Sequence, residues 1–82
     1  MSTKPYFVYI VECNDGTYYT GITVDLRKRI EAHNCGKGAK YTRTRGPVRL
    51  HWARVFPSRT AAAREERRIK KLSPAKKKEC MI

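Results

Sequence analysis

No apolar run in this chain approaches the roughly 20 residues that a membrane-crossing helix requires. The first residues also lack a basic stretch leading into an apolar segment and a small-residue cleavage site, so the expected setting is cytoplasmic, without membrane contact. The three cysteines, Cys13, Cys35 and Cys80, form neither an even disulfide framework nor a Cys-x-x-Cys pair. A zinc cluster would have to recruit His33 and His51 at spacings that match no common finger. No strand is followed by a loop ending in Gly-Lys-Ser/Thr, which excludes a phosphate-binding P-loop. Acidic residues are scarce, seven against 19 lysines and arginines, for a net charge of +12. That imbalance exceeds what solubility needs and makes a polyanion the first partner to consider.

The 82 residues imply a single small domain spanning 1–82, with a modest core. Charge is unevenly placed along it. Residues 1–22 hold one base, Lys4, against Glu12 and Asp15, and the other 18 bases follow. Residues 6–13 and 17–22 are rich in aromatic and β-branched types and flank Asn14-Asp15-Gly16, which predicts a hairpin. A three-residue loop with Gly16 in the left-handed region pairs Cys13 with Thr17 and Tyr9 with Gly21. Tyr9 and Tyr19 then share one face, whereas a two-residue turn would separate them. Thr23-Val24-Asp25 supplies an N-cap and an acidic first turn for a helix over about 24–33, ended by Asn34 and Gly36. Residues 34–47 hold glycines, a proline and four bases without periodicity, which predicts an exposed basic loop. Val48 to Phe56 reads as a third strand, Ser58 caps a helix running to about Leu72, and Ser73-Pro74 opens a short third helix. The predicted architecture is α/β (α+β), a mixed three-stranded sheet flanked by helices in the order β-β-α-β-α-α.

On the first helix, Leu26 and Ile30 set a buried stripe that Arg29 and His33 border, while Lys28 points away. On the second, Glu65 and Glu66 fall beside the apolar stripe of Ala62, Ile69 and Leu72. Ion pairs to Arg68 or Lys70 at i,i+3 or i,i+4 account for such carboxylates. A hard cation held by one carboxylate and by phosphate oxygens accounts for them too, and helical phase does not choose between the two glutamates. Each tyrosine alone is a strand-forming, packing residue.

In combination, Val8-Tyr9-Ile10 and Tyr19-Thr20-Gly21-Ile22-Thr23 precede Asp25-Leu26-Arg27-Lys28-Arg29, His33-Asn34, Gly36-Lys37-Gly38-Ala39-Lys40-Tyr41-Thr42-Arg43 and Ile69-Lys70-Lys71-Leu72-Ser73. In that order they resemble the GIY-YIG nucleases, and small bacterial GIY-YIG proteins most of all. The resemblance covers nearly the whole chain, although the first motif has Val8 and Ile10 around Tyr9 and no glycine. It implies a functional set of Tyr9, Tyr19, Arg29 and Glu66, with His33 and Gly21 in support at the catalytic site. Glu66 would hold Mg²⁺ or Mn²⁺, Arg29 a phosphate oxygen, and a tyrosine, Tyr9 ahead of Tyr19, would take the proton from water as phenolate or through a relay while Tyr19 orients phosphate or water. Because an ordinary phenol titrates near pH 10, the phenolate route requires nearby positive charge to lower it. The expected activity is metal-dependent endonucleolytic hydrolysis of DNA, ahead of RNA, with weak sequence preference and a place in repair or recombination. Lys37, Lys40, Tyr41, Arg43 and Arg45 would contact the nucleic acid. The rival expectation is a non-catalytic nucleic-acid-binding module in which Tyr41 or Trp52 stacks on a base.

Overall fold

A computed structural model describes residues 4–37, 46–73, 75 and 76. The most apolar segment becomes the middle of the sheet: β1, Tyr6–Glu12, has Val8 through Val11 buried without a break, as a strand covered on both faces requires. It pairs antiparallel with β2, Tyr18–Thr23, in a register that sets Tyr9 opposite Gly21 and Val11 opposite Tyr19. The turn is the expected three-residue loop. Gly16 sits at φ +84°, the Cys13 N–H donates to the Thr17 carbonyl at 2.7 Å, and the Gly16 N–H donates to the Cys13 carbonyl at 3.0 Å.

The third strand, β3, Arg49–Phe56, pairs antiparallel with the other edge of β1, giving the order β2-β1-β3. The sheet is therefore antiparallel throughout, where a mixed sheet was expected. β2 and β3 run in the same direction but never touch as a ladder, because the chain carries β3 past β2 and leaves the apolar β1 between them. A bulge between Ile10 and Val11 leaves His51 without a cross-strand partner, so Trp52 pairs with Ile10 and Leu50 with Val11. Val48 was expected to open this strand. Its N–H instead donates to Asn34 Oδ1 at 2.6 Å, tying the strand's start to the end of the first helix.

That helix, α1, spans Leu26–Asn34 and begins two residues later than expected. Asp25 rather than Thr23 is the N-cap, accepting from the Lys28 N–H at 3.1 Å, while the Thr23 hydroxyl accepts from the Asp25 N–H at 3.2 Å. At the other end Gly36, at φ +75°, allows the Gly36 N–H to reach the His33 carbonyl and the Lys37 N–H the Ala32 carbonyl at 2.8 Å. This is the Schellman closure, which only a residue comfortable at positive φ completes without strain. α2, Arg59–Lys70, is capped by Ser58 as expected and stops two residues short of Leu72. Beyond it, Ser73 Oγ accepts from the Lys76 N–H at 3.3 Å, and most of the expected third helix lies outside the described residues.

Alternation along β1 sends its side chains into two cores. Val8 and Ile10 pack with Ala62 and Ile69 of α2, supported by Tyr6, Tyr18, Ile22, Trp52 and Phe56. Tyr9, Val11, Cys13 and Val48 pack on the opposite face with Tyr19 and with Leu26 and Ile30 of α1. The helices thus cover opposite faces of one small sheet, and no helix among the described residues is long and apolar enough to cross a membrane.

Candidate active site

The three-residue turn has a chemical consequence: it places Tyr9 and Tyr19 on the α1 face, where a helix with i,i+4 spacing brings Arg29 and His33 down onto them. Tyr9 is fully buried and His33 nearly so, at 0% and 1% exposed. The Tyr9 hydroxyl lies 2.9 Å from His33 Nε2, and Arg29 Nε donates to the same hydroxyl oxygen at 3.3 Å. The Tyr19 ring meets the His33 ring edge-on, with centroids 5.4 Å apart.

Residue types set the polarity of this chain. Arginine only donates, so the Tyr9 oxygen accepts from Arg29, and the buried phenolic proton requires an acceptor. Nε2 of His33, 2.9 Å away, takes that role in the neutral tautomer that carries its proton on Nδ1. The electrostatics agree. Burial, then the Arg29 charge, pulls the His33 pKa below its ordinary 6.5. Arg29 is held more firmly protonated, chiefly by its hydrogen bond to Tyr9.

Gly21 makes room for this arrangement. It faces Tyr9 across the ladder, and a methyl group there would lie 2.6 Å from the Tyr9 hydroxyl oxygen. The Tyr9 ring therefore lies over a strand position that must be bare.

One sequence expectation is corrected here. The phenolate route required a lowered Tyr9 pKa, and the net shift is upward. Burial raises it more than the Arg29 hydrogen bond and charge lower it, and Tyr19 and Glu66 add to the rise.

Glu66 belongs to α2, on the other side of the sheet, yet its charge is among those felt by Tyr9. The two glutamates that helical phase could not separate differ in their partners. Both Glu65 oxygens are taken by Arg68, at 2.7 and 2.9 Å, which with burial opposing holds the Glu65 carboxyl below its ordinary range. Among the described residues Glu66 has a single polar contact, from Lys70 Nζ to Oε2 at 3.3 Å. Both ion pairs expected on helical spacing are therefore formed, and Glu66 is the carboxylate with an oxygen to spare. Among the described residues no group of three or more His, Cys, Asp or Glu side chains could enclose a metal ion. A partly buried lone carboxylate fits a hard cation that takes its remaining ligands from phosphate and water, the usual habit of Mg²⁺.

Lys37 is exposed just beyond α1, while Lys40, Tyr41, Arg43 and Arg45 lie outside the described residues. Trp52, a candidate for base stacking, is instead packed against the α2-side core, because the β3 bulge turns it toward Ile10. Sequence reasoning treated His33 as a supporting residue and missed its direct bond to Tyr9. The available signal was that Arg29 and His33 lie one turn apart on the face the tyrosines occupy.

The profile of the GIY-YIG catalytic domain matches residues 5–79. The chain belongs to the GIY-YIG family. It is 56% identical over 70 residues to a UPF0213 protein of Halobacterium salinarum, covering 85% of this chain and 91% of that one. It is 53% identical over 74 residues to the UPF0213 protein BH0048 of Halalkalibacterium halodurans, covering 90% and 79%. The solution NMR structure of BH0048 from Bacillus halodurans superposes with a TM-score of 0.59 at 51% identity, over 93% of this chain and 81% of that one. That of EF2693 from E. faecalis gives 0.64 at 35% identity, over 96% and 85%. GIY-YIG domains form a nuclease superfamily whose members typically use divalent metals, so a nucleic acid is the implied substrate.

Proposed function

We propose that this GIY-YIG protein is a divalent-metal-dependent endonuclease acting on DNA, with Tyr9, Tyr19, Arg29, His33 and Glu66 as its working residues. The observation that carries the reading is the contact of the buried Tyr9 hydroxyl with both Arg29 Nε and His33 Nε2. A purely structural tyrosine would not need a part-buried cation on one lone pair and an imidazole nitrogen beside its hydroxyl.

In the proposed reaction a water attacks the phosphorus in line with the leaving oxygen. Its proton passes to the Tyr9 oxygen as the phenolic proton passes to His33 Nε2, so no free phenolate forms. This relay suits a raised phenol and a neutral imidazole, where a resting phenolate does not. Arg29, which holds Tyr9 through Nε and also hydrogen-bonds Tyr19, would present its guanidinium to a non-bridging phosphate oxygen. A bound phosphate also offsets the Arg29 charge that disfavours protonation of His33. Tyr19 orients phosphate or water through its hydroxyl. Glu66 would hold Mg²⁺ or Mn²⁺, which when bound neutralises charge at the phosphate and stabilises the leaving oxygen.

The net charge of +12 favours backbone contacts over base reading, which suits a weakly selective enzyme of cytoplasmic DNA repair or recombination. The test is incubation with labelled duplex, branched and single-stranded DNA and RNA in Mg²⁺, Mn²⁺ or EDTA. Metal-dependent cleavage of DNA is expected. Binding without cleavage in either metal would replace this reading with the non-catalytic module.

A further inference from the structure

A cavity of about 340 Å³ opens at the hairpin end of the sheet, between Cys13 and Asn14 on one side and Pro47, Val48 and Arg49 on the other, with Glu12 in its wall. Its position ties it to the tyrosine site, because Cys13 and Val48 belong to the same buried cluster as Tyr9. Its walls are fixed in advance. The turn is closed by the Gly16 to Cys13 bond at 3.0 Å, and Val48 is pinned to Asn34 at 2.6 Å.

The polar groups around it are unlike the rest of this basic protein. Glu12 Oε1 receives Arg49 Nε at 3.1 Å and Nη2 at 3.0 Å. Glu12 Oε2 and the Asn14 side-chain amide make no hydrogen bond among the described residues. A carboxylate repels phosphate, and phosphates have many better contacts on a chain of charge +12. The matching ligand is flat and uncharged, with N–H donors for a carboxylate oxygen and an acceptor for an amide. That describes the Watson–Crick edge of a nucleobase bearing an exocyclic amino group. Guanine suits it best, since its two adjacent donors meet Glu12 while its carbonyl accepts from Asn14. Pro47 and the Arg49 guanidinium, whose side chain is 80% exposed, offer flat flanks for stacking. The volume lies at the small end of ligand pockets, which suits one base and little more.

We infer that this cavity is a base-recognition subsite, taking one unpaired nucleobase with an exocyclic amino group close to the phosphate that is cut. The inference rests on the nuclease reading for its biological meaning. It also makes a claim of its own, that a chain dominated by phosphate contacts has one position of base preference.

The test compares fluorescein-labelled octathymidylate with versions carrying a single central dG, dC or dA, bound to the full chain in EDTA so that binding is read without cleavage. Phosphate charge is equal across the set, so any difference belongs to the base. The dG oligomer should bind about fivefold or more tighter than octathymidylate, the low end of what one paired base contact discriminates. Asn14→Ala and Glu12→Gln should each reduce that ratio below about twofold, while octathymidylate affinity holds or rises. Equal affinity for all four oligomers, or a preference that survives both substitutions, overturns the subsite. If metal-dependent cleavage proceeds in parallel assays, the nuclease reading survives that failure. A dG preference lost in both variants, in a protein that cuts nothing, supports the subsite and removes the nuclease reading instead.

Discussion

Gly21→Ala is a one-methyl change whose effect can be worked out from the geometry. The added carbon would lie 2.6 Å from the Tyr9 hydroxyl oxygen, 2.8 Å from Cζ and 3.1 Å from Cε1. Ordinary contact between such atoms begins near about 3.5 Å, so the ring has to retreat by about 0.7–0.9 Å. It has little space to do so, being fully buried between α1 and the sheet. Overpacking of this kind costs about 1–3 kcal/mol. Moving the hydroxyl from its 2.9 Å approach to His33 adds about 1 kcal/mol for the disturbed buried hydrogen bond. Chemical denaturation should therefore show a loss of about 2–4 kcal/mol. In the protein that remains folded, a catalytic group displaced by nearly 1 Å should slow cleavage by about 10²-fold. Gly16→Ala is the control. Nothing lies within 4 Å of a methyl group there, and only its φ of +84° resists substitution, for about 1 kcal/mol and no change in rate per folded molecule. A Gly21→Ala protein as stable and as fast as wild type would refute the claim that the bare strand position exists to seat the Tyr9 hydroxyl.

Thr20 is 2% exposed and its hydroxyl has no hydrogen-bond partner among the described residues, so Thr20→Val should stabilise the fold by about 1 kcal/mol and raise the melting temperature by about 4–8 °C; a fall would show that the hydroxyl is satisfied. Glu66→Gln should abolish Mn²⁺ binding measured by electron paramagnetic resonance and cut cleavage by orders of magnitude, with Glu65→Gln much milder because Arg68 already occupies that carboxylate. Lys70→Met frees Glu66 from a surface pair worth about 0.2–1 kcal/mol, so Mn²⁺ should bind about 1.4- to fivefold tighter, and weaker binding would contradict the assignment. His33 has its folded pKa below 6.5, so the unfolded chain takes up the proton first as pH falls; its contribution to stability is complete above 6.5 and lost below it, an acid limb that His33→Gln should remove from the melting profile. Tyr9 shifts the opposite way, so its contribution holds up to about pH 10 and is lost above that, as Tyr9→Phe should reveal.

Most of the site's geometry was legible in the sequence because it depends on short-range rules. A glycine in third place of Asn14-Asp15-Gly16 selects the loop length, the loop length selects the register, and the register decides that Tyr9 and Tyr19 share a face. Helical spacing then suffices to aim Arg29 and His33 at that face. What escaped the sequence depends on long-range placement. The local pattern of β3 is the same whether it pairs beside β2 or beyond β1, and only the demand of β1 for cover on both edges made the sheet antiparallel. Glu65 and Glu66 flank one stripe symmetrically, so their roles separate only through the rotamers of Arg68 and Lys70.

The phenol of Tyr9 is the most instructive case. Sequence places a cation next to it and so suggests a lowered pKa, but the sign of the shift depends on how deeply α1 and the sheet bury that oxygen. Burial wins, and it changes the chemistry rather than preventing it. A buried phenol that keeps its proton has to hand that proton to something, and with Arg29 confined to donating, His33 Nε2 is the receiver. The same burial that makes Tyr9 a poor phenolate therefore favours the proposed relay, in which the phenolic proton leaves for His33 Nε2 as the oxygen takes one from the attacking water.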